Sequence, residues 1–222
     1  MSTRRIPLFP LNVVLFPGMA LPLHIFEPRY QEMVRRCLDA DRLFGVCLIR
    51  SGEEVGEAAD PFAVGTTCEI LSATPLGEGR LKLTTIGRDR FRILRLDQEL
   101  PYLEAEIELI SEQSAGDLDD LVSLVQAAAK EYVRALLALN GETAGAIQLP
   151  QDPVRLSNLV GAALQVPLRL RQELLEESRP QLRLERQLEL LNRELEQLRR
   201  LDETESPVAR PYQFDRGRIS LN

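Results

Sequence analysis

Ile6-Pro-Leu-Phe-Pro-Leu-Asn-Val-Val-Leu-Phe-Pro-Gly-Met-Ala-Leu-Pro-Leu-His-Ile-Phe-Glu-Pro-Arg-Tyr30 is apolar over most of its length and is broken repeatedly by proline. Arg4 and Arg5 precede it, which gives it the outline of an export signal. Such a signal needs an unbroken apolar core and a small-residue cleavage site. Here Pro7, Pro10, Pro17, Pro22 and Gly18 interrupt the core, and no Ala-x-Ala-like site follows. Each proline removes a backbone donor and costs about 3 kcal/mol inside a helix. A membrane helix of ~20 apolar residues therefore does not fit this stretch. The pattern predicts short extended pieces separated by turns. No other stretch is apolar and long enough to span a bilayer, so the expected location is cytoplasmic.

Working outward, the strand signals continue to about Ile110. Apolar or alternating runs fall at Ile6–Phe9, Val13–Phe16, Leu21–His24, Leu43–Ile49, Thr66–Ser72, Arg80–Thr85, Arg90–Leu96 and Leu103–Ile110. Turn chemistry separates them at Pro17-Gly18, Gly52 to Gly56, Gly77-Glu-Gly79, Gly87-Arg-Asp89 and Pro101. One helix interrupts the series: Pro28 suits its first turn, and Tyr30, Met33, Val34, Cys37 and Leu38 recur at helical spacing. Many short strands with regular turns predict a closed or half-closed barrel, not a parallel sheet.

After the small polar segment Ser111–Gly116 the period changes to helix. Asp117 is placed to cap a helix whose apolar face runs from Leu118 to Leu139, and Asn140-Gly141 is a stop signal. Asp152-Pro153 starts a second helix, Pro167 ends it and opens a third, and Pro180 opens the longest, to about Leu201. The predicted class is α+β. It comprises a β-rich pseudo-barrel lobe with one helix over 1–112, a small helical bundle over 117–201 and a C-terminal tail over 202–222.

The charge divides the same way. The net charge is −7, yet basic and acidic residues balance at 13 each up to Leu100, so the excess lies in the second part. An acidic balance argues against a general nucleic-acid binder, which carries a positive footprint. The basic candidates are Arg80, Lys82, Arg88, Arg90, Arg92 and Arg95. In Arg90-Phe-Arg-Ile the charges alternate as on a half-buried strand, and Glu104, Glu106 and Glu108 alternate likewise. A hairpin would set arginines opposite glutamates and cancel the field that a nucleic acid needs.

Enzyme signals are weak. Lys82 and Lys130 are the only lysines, and neither lies in a Gly-x-x-x-x-Gly-Lys-Ser/Thr loop. His24 is the only histidine, and no Gly-x-Ser-x-Gly elbow is present. Cys37, Cys47 and Cys68 are an odd number without metal-ligand spacing, which fits buried thiols in a reducing compartment. The sequence therefore names no catalytic residue, cofactor-binding residue or metal ligand. It does offer a partner-contact seam. Leu184, Leu188, Leu191, Leu195 and Leu198 step by four and three, so Leu188, Leu191, Leu195 and Leu198 could face another chain or the helix's own bundle.

The opening segment from Ile6 to Tyr30 strongly resembles the N-terminal domain of Lon proteases. Val64-Gly-Thr-Thr-Cys-Glu-Ile70 and Leu83-Thr-Thr-Ile-Gly-Arg-Asp-Arg-Phe-Arg-Ile93 fit the same pattern. The resemblance spans about residues 5 to 200 and implies a PUA-like β lobe followed by helices. It also implies a part in recognising protein substrates and in subunit association. Full-length Lon continues into ATPase and Ser–Lys protease modules, and this sequence contains neither. The expectation is a stand-alone, bacterial-type substrate-binding domain, non-enzymatic, taking polypeptides or a protein partner in quality control, with self-association left open. Phe16, Pro17, Gly18 and Phe26 read as fold determinants, not contacts. A nucleic-acid role for the PUA-like lobe is the alternative, and an enzyme built on scattered carboxylates is a third reading.

Overall fold

The computed structural model describes residues 3–54, 59–112 and 116–204; the end of the predicted tail, 205–222, lies outside them. The chain divides into two compact units.

Among the described residues the first unit holds seven strands and two helices. The strands are β1 (Thr3–Leu11), β2 (Ala20–Ile25), β3 (Leu43–Ser51), β4 (Asp60–Pro61), β5 (Val64–Gly77), β6 (Arg80–Asp97) and β7 (Leu103–Leu109), with helix α1 (Pro28–Asp39) between β2 and β3. Ladder order runs β1-β7-β6-β5-β3, and a parallel pairing of β1 with β3 closes the ring. This is the PUA-like pseudo-barrel that the strand pattern and the resemblance predict. Strand β1 pairs with β7 over Thr3–Leu8 and with β3 over Leu8–Leu11. It changes partner at Leu8, so Pro7 and Pro10 each meet one ladder and not two, which lets a barrel strand hold two residues without an N–H. Inside the ring pack Ile6, Leu8, Cys47, Phe91, Leu103, Ala105 and Ile107. A Cβ on Gly65 would come within 2.8 Å of the Phe91 ring, so this wall needs glycine for the core to close.

Two strand predictions are corrected. Val13–Phe16 is not a strand but an irregular, fully buried segment. Two of its carbonyls are met without a ladder: the Thr66 hydroxyl donates to Leu15 O at 2.6 Å and Met19 N to Phe16 O at 3.0 Å. The expected turn at Gly87-Arg-Asp89 is absent, and the two strands on either side of it are one long β6. Gly87 serves a different need. Its N–H donates to Met19 O, its carbonyl accepts from Gly18 N, and a Cβ would sit 2.5 Å from Phe16 O. Gly18 itself has φ +82°, the turn role its sequence context predicts.

Helix α4 (Leu168–Glu176) belongs to this first unit, although the sequence pattern groups it with the later helices. Its buried face includes Arg171, Gln172, Leu174 and Leu175. Gln172 Nε2 donates to Val64 O at 3.0 Å, and the Arg171 guanidinium lies 5.8 Å from the Phe16 ring. These polar anchors on a barrel strand and on the buried loop explain the assignment better than helical period could.

The second unit contains α2 (Asp119–Leu139), α3 (Pro153–Ala163) and α5 (Pro180–Thr204). Asp152 caps α3 by accepting from Arg155 N at 2.8 Å, as Asp-Pro predicts. Asp117 does not cap α2. Leu118 holds that position, and Asp117 Oδ1 accepts from Asp119 N in a tight local turn. At the centre of the unit the wholly buried Arg183 donates to Ser157 Oγ, Glu177 O and Glu112 Oε2. Burial lowers its pKa, against the opposing pull of Glu112.

Candidate functional site

Strand β6 is 18 residues long, and its exposed edge is shared: β2 pairs with its first half and β7 with its second. The first half therefore forms a three-stranded β2-β6-β5 sheet that extends beyond the ring. The β5–β6 hairpin closes through Glu78 and Gly79, both at positive φ, as a two-residue turn between right-twisted strands requires.

Alternation sends one face of this sheet inward, with Leu21, Ile25, Ile70, Leu83 and Thr85 all buried. The other face is open and is organised in two cross-strand rows. Pro22, Thr84 and Ser72 are in register in one, and His24, Lys82 and Thr74 in the other. Two β-bulges in β5, between Ile70 and Ser72 and between Pro75 and Gly77, each insert one leucine. Those residues, Leu71 and Leu76, are 49% and 46% exposed, and Phe26 beside His24 is 50% exposed, with the two rings 6.0 Å apart. Phe26 thus departs from its expected role as a fold determinant, since it lies just past the end of β2 and turns outward. Phe16 is buried, as expected.

The six basic candidates of β6 separate into different environments. Arg92 lies opposite Glu108 and Arg95 opposite Glu106 in the predicted hairpin, and Glu106 also faces Arg5 on its other side. Arg88 pairs with Glu69 at 2.6 Å and Arg80 with Glu78 at 3.2 Å. Arg90 is a correction: it is only 2% exposed, and its Nη1 donates to Leu175 O near the C-terminal end of α4 at 2.5 Å. That carbonyl end favours a cation. Lys82 has no ion-pair partner among the described residues. The six do not form a continuous basic stripe.

The four seam leucines of α5 differ in exposure. Leu191 and Leu195 are buried, while Leu188 and Leu198 are half-buried. All three cysteines are buried, and burial raises each thiol pKa, to about 12 for Cys37 and Cys68. None is poised as a nucleophile. Among the described residues no group of three or more His, Cys, Asp or Glu could hold a metal ion, and no helix is long and apolar enough to cross a membrane. A cavity of about 390 Å³ beside the start of α2 gathers Asp117, Asp119, Asp120 and Glu185, with only leucines and Gln181 as company. A second, of about 300 Å³, is bordered by Arg29, whose Nε and Nη2 are bonded to Glu27 and Glu54 O.

A closed β lobe with one sheet face left open and a second, helical unit make this an α+β fold. The chain belongs to the ATP-dependent protease La (LON) substrate-binding domain family, whose model matches residues 5–193. It is 31% identical over 208 residues to the Lon protease of Anaeromyxobacter dehalogenans and 29% identical to Lon protease 2 of Myxococcus xanthus. Each alignment covers 91% of this chain, which spans about 25% of those relatives. Among solved structures it is similar to a Lon N-terminal domain protein from Xanthomonas campestris (TM-score 0.62, 30% identity, 83% of this chain and 97% of that one). The N-terminal domain of a Mycobacterium avium complex Lon protease shares the fold at 17% identity, with a TM-score of 0.61 over 85% of this chain and 98% of that one.

Proposed function

We propose that the chain is a non-catalytic module that recognises polypeptide segments for protein quality control in the cytoplasm. The open face of β2-β6-β5 is its contact surface. The observation that carries this reading is three large apolar side chains, Phe26, Leu71 and Leu76, left half-exposed on one sheet in a substrate-binding domain family. Two of them sit at β-bulges, which re-aim side chains and are not random surface leucines. The half-buried Leu188 and Leu198 of α5 are left as a secondary contact for a protein partner.

Replacing Phe26, Leu71 and Leu76 together by serine should weaken binding of a reduced, permanently unfolded model protein at least tenfold and leave the melting temperature nearly unchanged. Each burial removed at a contact is worth about 1.5–3 kcal/mol when complete. Unchanged binding in the triple variant would move the surface elsewhere. Hydrolysis of ATP or casein by the purified chain would end the non-catalytic reading.

A further inference from the structure

We infer that the open β2-β6-β5 face selects apolar segments flanked by carboxylates, and takes them through side chains and not by adding a strand. This rests on the polypeptide-binding reading above and names the class of segment.

The mode follows from the edges. Beyond the pairing of β5 with β3, the outer edges of this sheet are β2 and the distal part of β5. Each carries a proline, Pro22 and Pro75. Proline supplies no N–H and is a standard way to blunt a sheet edge against another strand. An extended guest is denied a continuous ladder on either side. What remains open is the face, which carries the two rows together with the exposed Phe26, Leu71 and Leu76.

The charge preference follows from those rows. The six positions in register are Pro22, Thr84, Ser72, His24, Lys82 and Thr74, and none carries a carboxylate. The other nearby charges are already matched, Arg80 with Glu78 and Arg88 with Glu69. Lys82, exposed on the middle strand of the three, is the one cation of the rows and has no ion-pair partner among the described residues. A guest laid across the face brings its apolar side chains to Phe26, Leu71 and Leu76 and a charged side chain next to them to Lys82. A carboxylate there gains an ion pair, and a guest lysine meets repulsion on a surface it partly dehydrates.

The test uses three fluorescent peptides with one apolar core and flanks of Asp, Ser or Lys, measured by anisotropy against the intact chain. The Asp-flanked peptide should bind about two- to fivefold more tightly than the Ser-flanked one, the Lys-flanked one weakest, and the spread should shrink in high salt. Lys82→Glu should reverse the order. Lys82→Gln should erase it while leaving the affinity for the Ser-flanked peptide unchanged, which separates charge selection from any fault in folding. If the serine triple variant binds all three peptides as the native chain does, both the face and this inference fall. If the triple variant loses binding but the native chain ranks the peptides equally, or Lys82→Glu keeps the order, charge selection falls and the face stands. A concentration-dependent dimer that the triple variant abolishes would assign the face to a second copy and overturn the inference.

Discussion

The two halves of β6 carry outward-pointing cations with opposite fates. Lys82 stands in the open on the β2-β6-β5 sheet. Arg90, eight residues on, is covered by α4 and bonded to its Leu175 carbonyl. Both stand next to a buried core residue, Leu83 in one case and Phe91 in the other. Strand alternation thus decides which side chains leave the barrel interior, and a later segment of the chain decides whether they reach water. One strand consequently provides both an anchor for a helix and a surface free to meet a guest.

Substitution at the two cations breaks this comparison most sharply. Arg90→Ala should cost about 3 kcal/mol, because it removes a charge-assisted hydrogen bond and leaves a void and an unmet carbonyl under α4. Lys82→Ala should stay within about 0.5 kcal/mol. Denaturant unfolding of both variants checks the contrast, and equal losses would refute it. Next comes the point between the two cations. Gly87→Ala forces a methyl against Phe16 O, and the expected cost is about 1–3 kcal/mol. Hydrogen exchange should show the loss concentrated in the Val13–Met19 loop.

Smaller effects sharpen the covered end. A double-mutant cycle on Arg92 and Glu108 should return a coupling of about 0.2–1 kcal/mol, as for an exposed cross-strand pair. At the last residue of β6, the Asp97 carboxylate is held below its ordinary 3.8, first by the Glu99 N–H and then by Arg5. A carboxylate whose folded pKa is depressed contributes stability above about pH 4, and that contribution is lost as pH falls through the lowered value. An NMR titration should show that Arg5→Ala relieves only part of the depression. Full relief would mean that Arg5, not the Glu99 N–H, is the main cause.

Much of the β lobe was legible. The helix with Pro28 in its first turn and Tyr30, Met33, Val34 and Cys37 on its buried face lies where the sequence puts it, because capping and helical period are local signals. The Arg–Glu hairpin of β6 and β7 was legible for the same reason. Val13–Phe16 was not, because four apolar residues in a row look the same whether a ladder or a scatter of side-chain donors meets their backbone. Gly87 was misread because a glycine needed for close approach and a glycine needed for a turn are the same letter. At the candidate site, alternation alone places Pro22, His24 and Lys82 outward. Leu71 and Leu76 escaped notice because bulges shift the register by one residue without a sequence mark.

By itself, then, the sequence determined the α+β class, the proline-broken strands at the start, the helix starts at Pro28, Pro153 and Pro180 and the family. All of these depend on residues close together in the chain. Only the tertiary structure decided that α4 returns to the β lobe, that Arg90 is covered and that Lys82 with its neighbouring leucines and Phe26 is left open. Those outcomes depend on which distant segment packs where, and pairing between residues as far apart as Arg90 and Leu175 leaves no periodic trace in the chain.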